Sequence, residues 1–221
     1  LTDRRLVLAT QNPGKVREIR RALAGLPFEV VGLAGLVPGP APRERGRTFS
    51  ENARAKALHY SRRSPGLALA EDSGLEVDRL GGAPGVRSAR FSSPRPTDAK
   101  NIRKLLRRLG SAPAAERGAR FVCVMVLARQ GRVIKEFRGT VRGRIAASPR
   151  GGSGFGYDPV FFYPPLRRTF AELAPEAKNE VSHRGRAVRK LRRYLEKERT
   201  ALPGAGPDRA SVLTSGRSRR R

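Results

Sequence analysis

The chain has 221 residues, 38% of them hydrophobic, a mean hydropathy of −0.51 and a formal net charge of +28. That length buries one sizeable core, and no apolar stretch nears the ~20 residues of a membrane-spanning helix, so many-domain and membrane-spanning readings are set aside. Lys+Arg number 47 against 19 Asp+Glu; the excess is mostly arginine and scattered, which favours general attraction to polyanions over specific nucleic-acid recognition.

The opening "LTDRRLVLATQN" sets basic residues before an apolar run. That run, Leu6 to Ala9, is shorter than the ~7–15 residues of a signal peptide's apolar region and reads as a first strand. A turn at "QNPGK" leads into a helical pattern with Val16, Ile19, Leu23 and Leu26 on one side. Phe28 to Val31 reads as a second strand, and "GLVPGPAPRERG" as a Pro/Gly-rich loop with one acid, Glu44. Thr48, three residues before Glu51, has capping-box spacing and marks a helix start. His59 lies in that amphipathic helix and reads as structural.

Leu67 to Ala70 is expected as a buried strand that ends where Glu71 and Asp72 begin. Thr97 can cap a helix carrying Ile102, Leu105, Leu106 and Leu109, with Gly110 as its stop. A hairpin follows, "RFVCVMVLA" then "RVIKEFRGTVRG", turning at Arg129 to Gly131. Its Cys123 is the lone cysteine and reads as a buried structural thiol, from which a cytoplasmic address is inferred. After the Gly-rich "PRGGSGFGYDPVFFYPP", a last helix from about Ser182 carries Ala187, Val188, Leu191 and Leu195 on one face. The expectation is an α/β domain with a mixed sheet over residues 1–199 and a basic, disordered tail over 200–221.

Several stretches carry candidate chemistry. "TQNPGK" places a turn at a strand end beside a helix N-terminus, a geometry that suits phosphate, with Lys15 adding a charge. It is not a Walker A loop, because Ala9 stands at the first glycine position and Val16 follows the lysine. An ordinary Asn-Pro-Gly turn is the alternative. Asp72, at a strand end facing the crevice where α/β sheets place ligands, could hold Mg²⁺ or activate water; alternatively Asp72 and Ser73 cap a turn before Gly74. Glu71 points the other way if the strand continues. Glu44 is either a second metal-site acid or a solvated glutamate. "GFGYDP" offers either a base-stacking platform or a Gly-rich turn with core aromatics. "SHRGR", with Lys178 just before it, either clusters donors or caps a helix through Ser182.

Taken in order, "LATQNPGKVREI", "TFSENARAKA", "AEDSGLEVDRLGGAPGVRSARF", "GGSGFGYDPVF" and "EAKNEVSHRG" resemble the non-standard purine nucleoside triphosphate pyrophosphatases. These are the inosine triphosphate pyrophosphatase family, also called dITP/XTP pyrophosphatases; the resemblance spans about Leu6 to Leu195. It implies an elongated mixed β-sheet flanked by helices, two lobes with a central substrate cleft, Mg²⁺ dependence and a homodimer. The implied reaction converts ITP, dITP or XTP to monophosphate and pyrophosphate. By resemblance, Thr10, Gln11, Asn12, Pro13, Gly14 and Lys15 hold the triphosphate. Asp72 is general base and metal ligand, Glu44 a second metal ligand, and Ser73 contacts substrate. Phe155, Gly156, Tyr157, Asp158, Lys178, His183 and Arg184 match nucleoside-binding positions. Two departures stand out: "ERG" where Glu-Thr-Gly is usual, and "SARFSSPRP" in place of Ser-Ala-Arg-Tyr-Ser-Gly. A related pyrophosphatase for other modified nucleotides and a basic nucleic-acid-binding protein are the rival readings.

Overall fold

A computed structural model describes residues 5–33, 41–64 and 66–200. Part of the Pro/Gly-rich loop and nearly all of the expected tail lie outside the described residues.

Among the described residues, seven strands form one sheet in the order β2-β1-β3-β4-β5-β6-β7. They are β1 (Arg5–Ala9), β2 (Glu29–Val31), β3 (Leu67–Val77), β4 (Gly118–Arg129), β5 (Arg132–Ile145), β6 (Phe161–Tyr163) and β7 (Arg168–Thr169). The first three are parallel and every other pairing is antiparallel, so the sheet is mixed. Flanking it are the α-helices α1 (Pro13–Ala22), α2 (Phe49–Ser61), α3 (Asp98–Leu109), α4 (Pro175–Val181) and α5 (His183–Thr200).

Local chemistry explains the starts and stops. Asn12, Thr48 and Thr97 each accept a backbone N–H three residues on, capping α1, α2 and α3. The Glu51 carboxylate reaches back to the Arg47 N–H at 2.7 Å rather than to the N-cap residue itself. Gly110, at φ 51°, ends α3. Gln130 and Gly131 both take positive φ, as a two-residue hairpin turn between right-twisted strands requires.

The core explains the placement of the helices. Leu6, Leu8, Leu69, Met125 and Leu127 pack under α1 and α5 on one sheet face. On the other face Ala9, Ala68, Ala70, Val122 and Val124 meet Phe49, Ala53 and Ala57 of α2. A third cluster, Leu75, Val77, Phe121, Val141 and Phe161 with Ile102 and Leu105 of α3, fills the far end. The long strands β4 and β5 bridge these ends, and the cleft opens between them.

One expectation is corrected, and two short elements come in addition; the last helix starts as expected, with Ser182 Oγ accepting the Gly185 N–H at 3.0 Å. The third strand does not end at Ala70: β3 runs on to Val77, keeping its ladder with β4 from Glu71↔Met125 to Val77↔Ala119. Charge inside a strand is tolerated here because both carboxylates find partners. The segment before Ser182 forms a helix of its own, α4, and Ser182 stands between α4 and α5. Within the Gly-rich region, Phe161–Tyr163 adds a short strand.

Candidate functional site

β1 pairs with β3 only as far as Ala9↔Ala70. Beyond that point β3 continues with one edge released, and residues from both sheet faces can meet around it. The resulting cleft, about 380 Å³, lies at the carboxyl end of β1, where the chain turns into α1. Its wall includes every residue to which the resemblance gives a role except Pro13 and Gly14; Glu71, His59 and Ser182 are not on it.

The pleat separates the two adjacent carboxylates. Asp72 faces α2: Asn52 Nδ2 donates to its Oδ2 at 3.0 Å, and Lys56 Nζ stands 3.8 Å from Oδ1. Burial raises the Asp72 pKa and Glu44 adds to the rise, outweighing Lys56, Lys15 and the Asn52 hydrogen bond. Glu71 faces α1 and α5 and is fully engaged. Arg184 donates to both of its oxygens at 2.9 Å, and Lys15 Nζ approaches to 3.3 Å. Burial alone would raise the Glu71 pKa, but Arg184 and Lys15 hold it well below 4.5.

A chain of buried charges continues from there. Arg184 also pairs with Glu18 and donates to Ser73 Oγ at 3.1 Å; Lys178 pairs with Glu18 and Asp158. Such cations need these acids, because an unpaired buried charge is costly. Lys178 and Arg184 are therefore not idle donors awaiting a ligand. His183 differs: it is buried, stacks on Phe121 at 4.6 Å between centroids, and its Nδ1 has no partner. Burial first, then Arg184, holds its pKa well below 6.5, so the ring is neutral.

The "GFGYDP" stretch divides by role. The Phe155 ring borders the cleft with Lys178 Nζ at 4.9 Å and the Arg184 guanidinium at 5.4 Å from its centroid. Gly14 is buried beneath it, and a Cβ there would come within 2.6 Å of the ring. Tyr157 is buried and its hydroxyl donates to Ser88 O at 2.9 Å. Asp158 accepts the Phe155 N–H at 2.9 Å, and Gly156 N–H is held by Asp98. In "TQNPGK" the N–H groups of Asn12 and Lys15 are spent on Thr10 Oγ1 and Asn12 Oδ1, and Pro13 has none. The turn thus offers fewer free backbone donors than its sequence suggests.

Glu44 is not a solvated acid: Lys56 donates to it at 2.8 Å and Arg90 at 3.2 Å. Burial opposes its ionisation, but Lys56 and Arg90 prevail and its pKa is lowered. Lys56 thereby sits between Glu44 and Asp72, a cationic position between two hard-oxygen donors. That donor set suits Mg²⁺, which commonly takes one or two carboxylates and completes its shell with phosphate oxygens and water. Among the described residues no group of three or more His, Cys, Asp or Glu converges, so the protein alone supplies no full cage.

Sequence reasoning missed Asn52, Lys56 and Glu18. The usable signal for the first two was i,i+4 spacing of polar residues on a helix face otherwise built of alanines; Glu18 is the only acid in the basic α1.

The fold and cleft define a class: an α/β protein seating a small ligand where a strand of the sheet ends, between cationic and carboxylate walls. The chain belongs to the Ham1 family, whose model matches residues 6–194. It is 49% identical over 186 residues to the dITP/XTP pyrophosphatase of Geobacillus kaustophilus, covering 84% of this chain and 91% of that protein. The protein of the same name from Gloeobacter violaceus is 51% identical over 186 residues, with the same coverage. Among solved structures, a HAM1 protein from Coxiella burnetii superposes with a TM-score of 0.80 at 40% identity, over 87% of this chain and 98% of that one. The Staphylococcus aureus Ham1 protein gives 0.79 at 39% identity, over 88% and 99%.

Proposed function

We propose that this protein is a hydrolase that cleaves ITP, dITP and XTP between the α and β phosphates, releasing the nucleoside monophosphate and pyrophosphate. The observation that carries the reading is Asp72, a carboxylate of raised pKa fixed by Asn52 in a cleft with Lys15 and Lys56. The family membership and the names of its relatives support it.

Asp72 accepts a proton from water, and the water oxygen forms the new bond to the α-phosphorus as the bridging α–β bond breaks. Asn52 holds the carboxylate in place, and Lys15 offsets the charge that gathers on the leaving pyrophosphate. Asp72 and Glu44 would hold Mg²⁺, which when bound neutralises phosphate charge and polarises the phosphorus. Thr10 to Lys15 border the triphosphate and Ser73 lies beside it. Phe155 stacks on the purine. His183, neutral and on the cleft wall, offers a ring N–H to a 6-oxo group. A 6-amino purine would leave that donor unpaired and be disfavoured. Guanine shares the 6-oxo group, so its exclusion falls to the 2-position.

The same reading takes residues 1–199 as the catalytic domain of a cytoplasmic homodimer. No helix among the described residues is long and apolar enough to cross a membrane. Purified protein given ITP, XTP, GTP and ATP with Mg²⁺ should yield pyrophosphate with IMP or XMP and leave ATP and GTP nearly untouched. Chelation should stop turnover and Mg²⁺ restore it. Free phosphate as product, or no turnover by folded protein, would overturn the reading.

A further inference from the structure

The outer face of α3 carries positive charge that the cleft does not use. Lys100, Arg103, Lys104 and Arg107 recur at i, i+3, i+4 and i+7, one stripe of the helix opposite the core-facing Ile102, Leu105 and Leu109. With Ser92 and Ser93 these four line a cavity of about 310 Å³. A second cavity, about 490 Å³, shares Ser93 and Lys104 with the first and adds Arg87, Arg90 and Arg108. The two adjoin at Ser93 and Lys104 and together make a trench along α3, whose second half borders the 3-10 turn Gly85–Arg90.

The trench is a built feature. Asn101 of α3 accepts the Ser92 N–H at 2.8 Å and donates to Ala89 O at 3.2 Å, tying the segment to the helix. Lys104 Nζ and Lys100 Nζ donate to the carbonyls of Phe91 and Arg95. Among the described residues, no carboxylate pairs with Arg87, Lys100, Arg103, Lys104, Arg107 or Arg108; Arg90 alone reaches one, Glu44. The Ser92 hydroxyl, on the trench wall, is buried without a hydrogen-bond partner. So many cations without a carboxylate partner around one space call for an anion.

Its shape narrows the choice. Residues 100 to 108 span about 12 Å of helix at 1.5 Å per residue, and the trench continues past them to Arg87. That length fits a row of phosphates rather than one. Phe91 is only 9% exposed, with Lys104 and Arg108 over its ring, so no aromatic face remains for a base to stack on. We propose that this trench binds the phosphodiester backbone of nucleic acid without reading its sequence. Neither the trench nor its ligand depends on the chemistry of the cleft.

The test is anisotropy of a labelled short DNA duplex with the full chain across a salt series, comparing two double variants of equal charge loss. R103Q/R107Q removes two exposed cations of the trench that have no carboxylate partner; R132Q/R142Q removes two exposed arginines of β5 that line neither of its cavities. Duplex affinity should fall at least about tenfold in R103Q/R107Q, and the log–log salt slope should shrink by about 2. It should change less than about threefold in R132Q/R142Q, duplexes of different sequence should bind alike, and nucleotide hydrolysis should be the same in both variants. Equal weakening by both variants would show diffuse net charge and overturn the assignment. So would a loss of tripolyphosphate binding in R103Q/R107Q with duplex binding intact.

Discussion

Asp72 and Glu71 are neighbours in sequence and opposites in chemistry, because a β-strand turns successive side chains to opposite faces. Glu71 meets a buried guanidinium and stays ionised; Asp72 meets an amide and keeps a raised pKa. Asp72→Asn should therefore fold normally and lose turnover by about 10²–10⁴-fold, the usual contribution of a positioned base. Steady-state kinetics beside a thermal melt checks this, and near-wild-type kcat would remove Asp72 from the reaction. Phe155→Ala should act on binding instead, raising KM about 5- to 150-fold, as loss of base stacking predicts. A KM unchanged across purines would leave the ring a purely packing role. Both residues could be picked from sequence, Asp72 by its place after an apolar run and Phe155 by its glycine neighbours. Asn52 and Lys56 left only their i,i+4 spacing on α2 as a signal, because their value lies in which strand α2 covers.

At the level of elements, the network from Glu71 through Arg184, Glu18 and Lys178 to Asp158 ties β3, α1, α5, α4 and the Asp158 turn together. Removing one member leaves its partner's charge buried. Glu71→Gln should cost about 3–5 kcal/mol in unfolding free energy, read by urea denaturation at neutral pH. The pH dependence has a definite sign. Glu71 is held well below its ordinary 4.5, so its stabilisation is complete above about pH 4.5 and is lost as pH falls through the lower folded value. Wild type should therefore lose stability on acidification more steeply than E71Q, and parallel curves would contradict the assignment. Thr97→Ala, which deletes the α3 cap, should cost about 1 kcal/mol. These elements differ in legibility. α3 was readable because its apolar stripe, Thr97 and Gly110 agree. The continuation of β3 past Ala70 was hidden because acids in a strand look like a strand end until Arg184 and Asn52 are seen beside them.

For the molecule as a whole, a net charge of +28 draws phosphates toward the protein before any specific contact forms. The kcat/KM for a nucleoside triphosphate should fall as ionic strength rises, while kcat changes little; a flat salt profile would show that steering is unimportant. Deleting residues 201–221 should leave kcat/KM within about twofold at fixed salt, because the family match ends at residue 194. A large loss would place the tail in the catalytic unit. The sequence by itself determined the order of the main elements, the helix caps, the mixed α/β character and the stretches that border the cleft, since propensity, periodicity and capping act over a few neighbouring residues. Only the tertiary structure decided how those stretches work together. β1 stops at Ala9 while β3 runs on, so the sheet opens a notch where Asp72 meets Asn52 and Lys56, and Glu71 meets Arg184 across 113 residues. Such pairings depend on which surfaces are buried against each other, and no local pattern encodes that.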